Sequence, residues 1–212
     1  MGRPSFAAAS AELAKRDRVI RGLVKRHGPC KIPPSKDPHF HALAESIVYQ
    51  QLAGAAAAAI FRRFRALFDG ELTPEAVLAA SEKSLRGAGL SPNKMASIRD
   101  LATKVVDGTL PLDHVARLRD EALIERLVTV RGIGRWTAEM FLMFQLRRTD
   151  VWPVDDYGVR KGYANAYGLA DLPKPKELFA LGERFRPYRT TAAWYCWRAV
   201  ETMTPGGRSK KD

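Results

Sequence analysis

The sequence predicts an all-α protein. Three observations carry that expectation: apolar residues recur at helical spacing along most of the chain, helix start and stop signals punctuate it at short intervals, and strand patterns are almost absent. The first repeat, Ala7–Arg26, puts Leu13, Val19, Ile20 and Leu23 on a helical period, and Gly28-Pro29 ends it. The Pro-rich stretch KIPPSKDP, residues 31–38, is a connector and a lobe boundary. Phe40–Tyr49 and Gly54–Leu67 read as two helices. The second is built on five consecutive alanines, the strongest helix former and small enough for close packing.

Thr73 ahead of Pro74-Glu75 and Ser91 ahead of Pro92 set a helix start with proline at the first helical position; the second runs to Val106. A short helix starts at Leu110-Pro111. Asp120–Val130 and Arg135–Leu146 flank a Gly-Ile-Gly turn. Thr149–Val154 is extended but too short and isolated to found a sheet. A helix then begins at Asp155 or Asp156 and runs to Tyr167, where Gly168 is placed to close it. Pro173–Gly182 and Thr190–Met203 complete roughly ten to twelve helices by this reading of period and punctuation. The Gly-rich basic tail PGGRSKKD, 205–212, reads as disordered.

The chain has 212 residues, of which 46% are hydrophobic and 27% charged, enough for one compact unit or two lobes and unlike a disordered chain. Its net charge of +12 favours a polyanionic partner, and nucleic acid leads because no lipid-binding pattern accompanies the charge. Two cysteines, Cys30 and Cys196, cannot supply a four-thiolate site, so no iron–sulfur cluster is expected; both read as buried free thiols. The N-terminal MGRPSFAAAS lacks the apolar core of a signal peptide, and the longest apolar run, Leu52–Ile60, falls far below the ~18 residues of a membrane span. The expectation is a soluble, cytoplasmic protein with no membrane partner, and nothing demands more than a monomer.

Two features point to chemistry. Gly132 and Gly134 bracket Ile133 between two helical patterns. Glycines allow close backbone approach, and the free N–H groups of the following helix start favour an anion, so Arg131–Arg135 with Thr137 reads either as a phosphate clamp or as a plain Gly-rich helix–helix turn. Asp155 and Asp156 follow Trp152-Pro153-Val154. One can cap the next helix while the other is free for chemistry. A carboxylate suits glycosidic cleavage, whose transition state resembles an oxocarbenium ion.

LVTVRGIGRWTAEMFLMF together with VWPVDDYGVRKGY resembles the helix–hairpin–helix (HhH-GPD) DNA glycosylase superfamily, in particular its 3-methyladenine DNA glycosylase II type. FHALAESIVYQQLAGAAAAAIFRRF, GLSPNKMASIRDLA and PYRTTAAWYCWR resemble further motifs of that family in the same order, so the resemblance runs from about Phe40 to Met203. It implies two helical lobes with the active site in the cleft between them. The expected lobes are residues 1–38 plus 157–212, the terminal lobe, and 39–156, the central lobe, with the hairpin at about 120–146. Some bacterial members carry a β-domain ahead of the helical core; here the residues before Phe40 read helical, a compact version.

The resemblance implies Asp156 as the catalytic carboxylate, because Val159 stands at the family's aliphatic position three residues on; Asp155 is left as helix cap and fallback. Bifunctional members carry a Schiff-base lysine where this chain has Trp136, which implies a monofunctional glycosylase without lyase activity. Trp136, Met140, Trp197 and Tyr49 are implied as the base pocket, and Leu52 with Gln51 as the wedge that fills the gap left by a flipped base. No catalytic metal is implied, though hairpin carbonyls of this family often hold a monovalent cation. The expected substrate is damaged double-stranded DNA carrying alkylated purines. The alternatives are another lesion, such as hypoxanthine or uracil, and a non-catalytic damage-sensing module.

Overall fold

The computed structural model describes residues 5–69 and 71–203, and the basic tail lies outside them. Among the described residues every regular element is helical. Twelve α-helices follow in order there: α1 (Phe6–Arg16), α2 (Arg18–His27), α3 (His39–Tyr49), α4 (Gly54–Ala66), α5 (Pro74–Ala79), α6 (Glu82–Gly87), α7 (Pro92–Val106), α8 (Asp120–Leu127), α9 (Arg135–Met140), α10 (Tyr157–Tyr167), α11 (Pro175–Gly182) and α12 (Arg189–Met203). None of the described helices is long and apolar enough to cross a membrane.

The chain divides into two compact units, Met1–Pro34 with Leu142–Asp212, and Ser35–Phe141. Residues 142–156, expected with the central unit, belong to the terminal one. The reason is a set of polar ties to the start of α12 and the end of α11. Thr190 Oγ1 donates to the Arg148 carbonyl at 2.7 Å and accepts the Val151 N–H at 3.0 Å. The Arg189 guanidinium grips Asp150 at 2.8 Å, and the Trp152 indole N–H donates to the Leu178 carbonyl at 2.8 Å. Buried backbone groups need such partners, so the segment goes where they are.

In the terminal unit the single helix expected over Ala7–Arg26 is two. Asp17 breaks it: its Oδ1 accepts the N–H groups of Val19 and Ile20 and caps α2. Its Oδ2 accepts the Tyr167 hydroxyl at 3.0 Å and pairs with Arg184 at 3.0 Å. The core contains Leu13, Ile20, Leu23, Tyr163, Phe185 and Tyr195, all buried. Each such aliphatic side chain contributes about 1.5–3 kcal/mol by leaving water. Helices α10 and α12 pack so closely that a Cβ at Gly162 would collide with the Cys196 backbone.

In the central unit Leu43, Ile47, Phe64, Leu85, Leu90, Ile98 and Leu101 form the core. Thr73, Ser81 and Ser91 each cap a helix with the side-chain oxygen, as the Thr-Pro and Ser-Pro starts predict for α5 and α7. The short helix expected after Leu110-Pro111 is a 3₁₀ turn, Leu112–Arg117. Helix α9 runs on into a π-helical turn, Phe141–Gln145, a rare conformation often found near functional sites.

Candidate active site

Asp156 follows a turn at Val154-Asp155, closed by its own N–H to the Pro153 carbonyl, and is the N-cap of α10. It is buried, at 9% exposure, whereas Asp155 beside it is exposed. The cap is therefore Asp156, a correction to the expected division in which Asp155 capped and Asp156 reacted. One oxygen of Asp156, Oδ1, accepts two N–H groups: the Val159 amide at 2.7 Å and the Trp197 indole at 2.9 Å. The α10 turn and α12 thus lock the carboxylate in place from two directions.

The indole edge of Trp197, a residue expected in the base pocket, serves the acid, its face stacks on Phe144 at 5.8 Å between ring centroids, and its ring lies over Gly158. Phe144 is an exposed aromatic that the sequence reading missed. Cys196, fully buried one position before Trp197, has its thiol pushed up by burial and then by the Asp156 charge; Cys30 is pushed up to about 12 by burial. Both cysteines are free and buried, and both stay protonated thiols.

The central unit holds the other expected residues. Tyr49, Gln51, Trp136, Thr137 and Met140 line one cavity of about 520 Å³, with Ser46 and Gln50. Ser46 was also missed, although it stands one helical turn before Tyr49 on α3. Trp136 is 49% exposed. Gln51 sits at φ +58°, a left-handed backbone rare outside glycine, and the Leu52 side chain that follows is 38% exposed.

The hairpin forms as expected between α8 and α9. The Ile133 N–H donates to the Val130 carbonyl at 3.0 Å and its side chain is buried, pinning the turn. Gly132 sits at φ +78° with Ser97 Oγ 2.8 Å from where a Cβ would lie, so no larger residue fits. Gly132, Gly134 and Arg131 are exposed.

Arg135, expected in the phosphate-binding hairpin, is paired within its own unit. Its guanidinium makes a two-point pair with Glu121, at 2.7 and 2.9 Å, and reaches Glu139 at 3.1 Å. Its side-chain charge is already matched within the unit. Other arginines are engaged within their own units: Arg63 with the Ala88 carbonyl, Arg147 over the Phe6 ring, Arg160 with the Pro173 carbonyl. Arg62 and Arg65 remain exposed.

The geometry offers a rigidly held carboxylate, an aromatic-walled cavity and a glycine hairpin with exposed backbone. Comparison with known proteins shows the family. Residues 44–187 match the HhH-GPD superfamily base excision DNA repair protein family. The chain is 37% identical to DNA-3-methyladenine glycosylase 1 of Schizosaccharomyces pombe, over 92% of this chain and 87% of that protein. It superposes on the S. pombe 3-methyladenine DNA glycosylase in complex with abasic DNA, with a TM-score of 0.78 and 35% identity over 95% of this chain and 99% of that one. A DNA-3-methyladenine glycosidase from Bacillus halodurans gives a TM-score of 0.85 at 35% identity, covering 95% of this chain and 94% of that chain. The chain belongs to the HhH-GPD superfamily of base excision DNA repair proteins.

Proposed function

We propose that the protein is a monofunctional DNA glycosylase that releases alkylated purines of the 3-methyladenine type from double-stranded DNA. The observation that carries this is the buried Asp156, held by two N–H donors on one oxygen in a chain related to 3-methyladenine glycosylases. The damaged nucleotide leaves the stack and its base takes the cavity lined by Trp136, Tyr49 and Met140. A purine nucleotide alkylated at N3 is cationic, and the Trp136 ring attracts a cation.

As the glycosidic bond breaks, its electron pair leaves with the base and positive charge grows on the sugar. The Asp156 carboxylate stabilises that charge and orients a water, whose oxygen bonds to the anomeric carbon as its proton passes to that carboxylate and on to solvent. Trp136 stands where a Schiff-base lysine would be needed, so the strand is left uncut at the abasic site. Leu52 and Gln51 fill the gap in the duplex. The hairpin residues Arg131, Gly132, Ile133, Gly134 and Thr137 hold the strand through backbone and hydroxyl groups, and hairpin carbonyls take a monovalent cation. No iron–sulfur cluster takes part, and the enzyme acts as a cytoplasmic monomer.

The test is to incubate the protein with duplex DNA carrying 3-methyladenine, hypoxanthine or uracil and measure free base. Release of 3-methyladenine by the wild type and none by Asp156→Asn is expected. Tight binding to damaged duplex with no base released from any of them would overturn the enzymatic reading.

A further inference from the structure

The end of α3 has an unusual cap. The last carbonyls of a helix lack partners within it, and α3 has no basic residue of its own in the last turn and no glycine beyond it. Lys94, from the first turn of α7, supplies the missing donors. Its ammonium donates to the carbonyls of Ile47 at 3.2 Å, Val48, and Gln50 at 2.7 Å. An ammonium has three N–H groups, and these three carbonyls match them. Burial pushes the Lys94 ammonium below its usual range, as suits a group turned inward. Lys94 is thus committed to the backbone and has no donor to spare for a phosphate.

The carbonyls it holds lie immediately before Gln51, the residue at φ +58°, and Leu52. Strained backbone persists only where neighbours over-determine it. Gln50 also reaches the other way: its side-chain N–H donates to the Gly132 carbonyl in the hairpin at 2.8 Å. Helix α7 grips the hairpin directly as well, since Asp100 Oδ2 accepts the Arg131 N–H at 2.7 Å. The turn bearing Leu52 and the hairpin are therefore both fastened to one helix.

We propose that Lys94 is a positioning residue for base excision: by clamping the α3 carbonyls it fixes the Leu52 turn at a set distance from the hairpin. This rests on the glycosylase reading. A wedge must enter the duplex at a fixed step from the phosphates the protein grips. Slack in the Leu52 turn lets the flipped nucleotide fall back before the bond breaks.

The test compares wild type, Lys94→Met, Leu52→Ala and the double variant by single-turnover base release from duplex DNA and from a single-stranded oligonucleotide bearing the same lesion. Lys94→Met is expected to lose about tenfold on duplex, the size of one lost charged hydrogen bond, and Leu52→Ala about tenfold as well, the size of one buried leucine side chain withdrawn from apolar contact. The double variant should lose no more than about twofold beyond the larger single loss, because both changes act through one wedge. On single strand, where no gap needs filling, Lys94→Met should stay within about twofold of wild type by the same reasoning. A loss of folded protein lowers both substrates equally, so the duplex-to-single-strand ratio reads positioning even from a partly unfolded variant. If Lys94→Met yields no folded protein, Lys94→Gln, which keeps two N–H donors, takes its place. Multiplicative losses in the double variant, or equal losses on both substrates, would overturn the proposal. A wild type that releases no base from either substrate would sink the glycosylase reading instead.

Discussion

The Trp197 indole N–H donates to Asp156 Oδ1 at 2.9 Å, on the same oxygen that caps α10 through the Val159 amide. The cap that starts a helix and the carboxylate proposed for catalysis are one group. Asp156→Asn keeps an oxygen to accept both N–H groups and loses the charge. Base release is expected to fall about a hundredfold or more with the melting temperature little changed. Asp156→Ala also loses the cap, about 1 kcal/mol, or roughly 2–4 °C in thermal melting for a chain of this size. Asp155→Asn is expected to change neither measurement.

Trp197→Phe tests the indole as a holder of the acid. The phenyl ring keeps the stack on Phe144 and drops the N–H. A fall of about tenfold in kcat with KM nearly constant is expected from steady-state base release. A rise in KM alone would return Trp197 to the role of pocket wall.

Trp136→Ala removes the aromatic ring from the 520 Å³ cavity. The loss in kcat/KM should be about 1–2 kcal/mol, roughly fivefold to thirtyfold, for a cationic 3-methyladenine lesion. For neutral hypoxanthine it should be clearly smaller. Equal losses for the two bases would show that the ring serves shape alone.

Gly162→Ala places a methyl group on the Cys196 backbone between α10 and α12. Overpacking of this kind costs about 1–3 kcal/mol, roughly 3–10 °C in the melting temperature. Because α12 carries Trp197, the surviving folded protein should also release base more slowly, which single-turnover assays at low temperature would measure.

His39 gives the central unit an acid sensitivity. Burial lowers its pKa, with Asp113 pulling the other way, and its ring packs edge-on to Phe141 at 5.7 Å. The folded pKa lies below the unfolded one, so this contribution is complete above about pH 6.5, the ordinary histidine value, and is lost as pH falls through that range. Thermal melts from pH 7.5 to 5.5 should show a smaller decline for His39→Phe than for wild type.

The parts of the fold written in local code were legible. Ser91-Pro92 predicts the start of α7 because cap and proline act within one turn, and Gly168 predicts the end of α10, which it closes in the left-handed conformation. The break at Asp17 was not legible, since the apolar repeat runs straight through it. What makes Asp17 a cap is held in place by Tyr167 and Arg184, far along the chain. The acid pair shows the same limit. Either aspartate satisfies a cap on local grounds, and the choice falls to Asp156 through Trp197 on another helix. Arg135 reads as a phosphate ligand until Glu121 folds alongside it. Lys94 stood inside a recognised motif, yet its three carbonyl partners belong to α3 and could not be read from neighbouring residues.

The terminal unit is assembled from both sides of the central one in sequence, and that has a consequence during synthesis. Helices α1 and α2 emerge from the ribosome early, but α12, against which they pack and whose Tyr195 hydroxyl donates to the Gly28 carbonyl at 2.9 Å, comes much later. At about 5–20 residues per second the wait is roughly ten to thirty seconds. Over that interval α1 and α2 have each other but lack α12, while residues 35–141 can already collapse as a unit. The newborn chain therefore offers a sticky helical pair ahead of a finished domain, the kind of intermediate that chaperones engage.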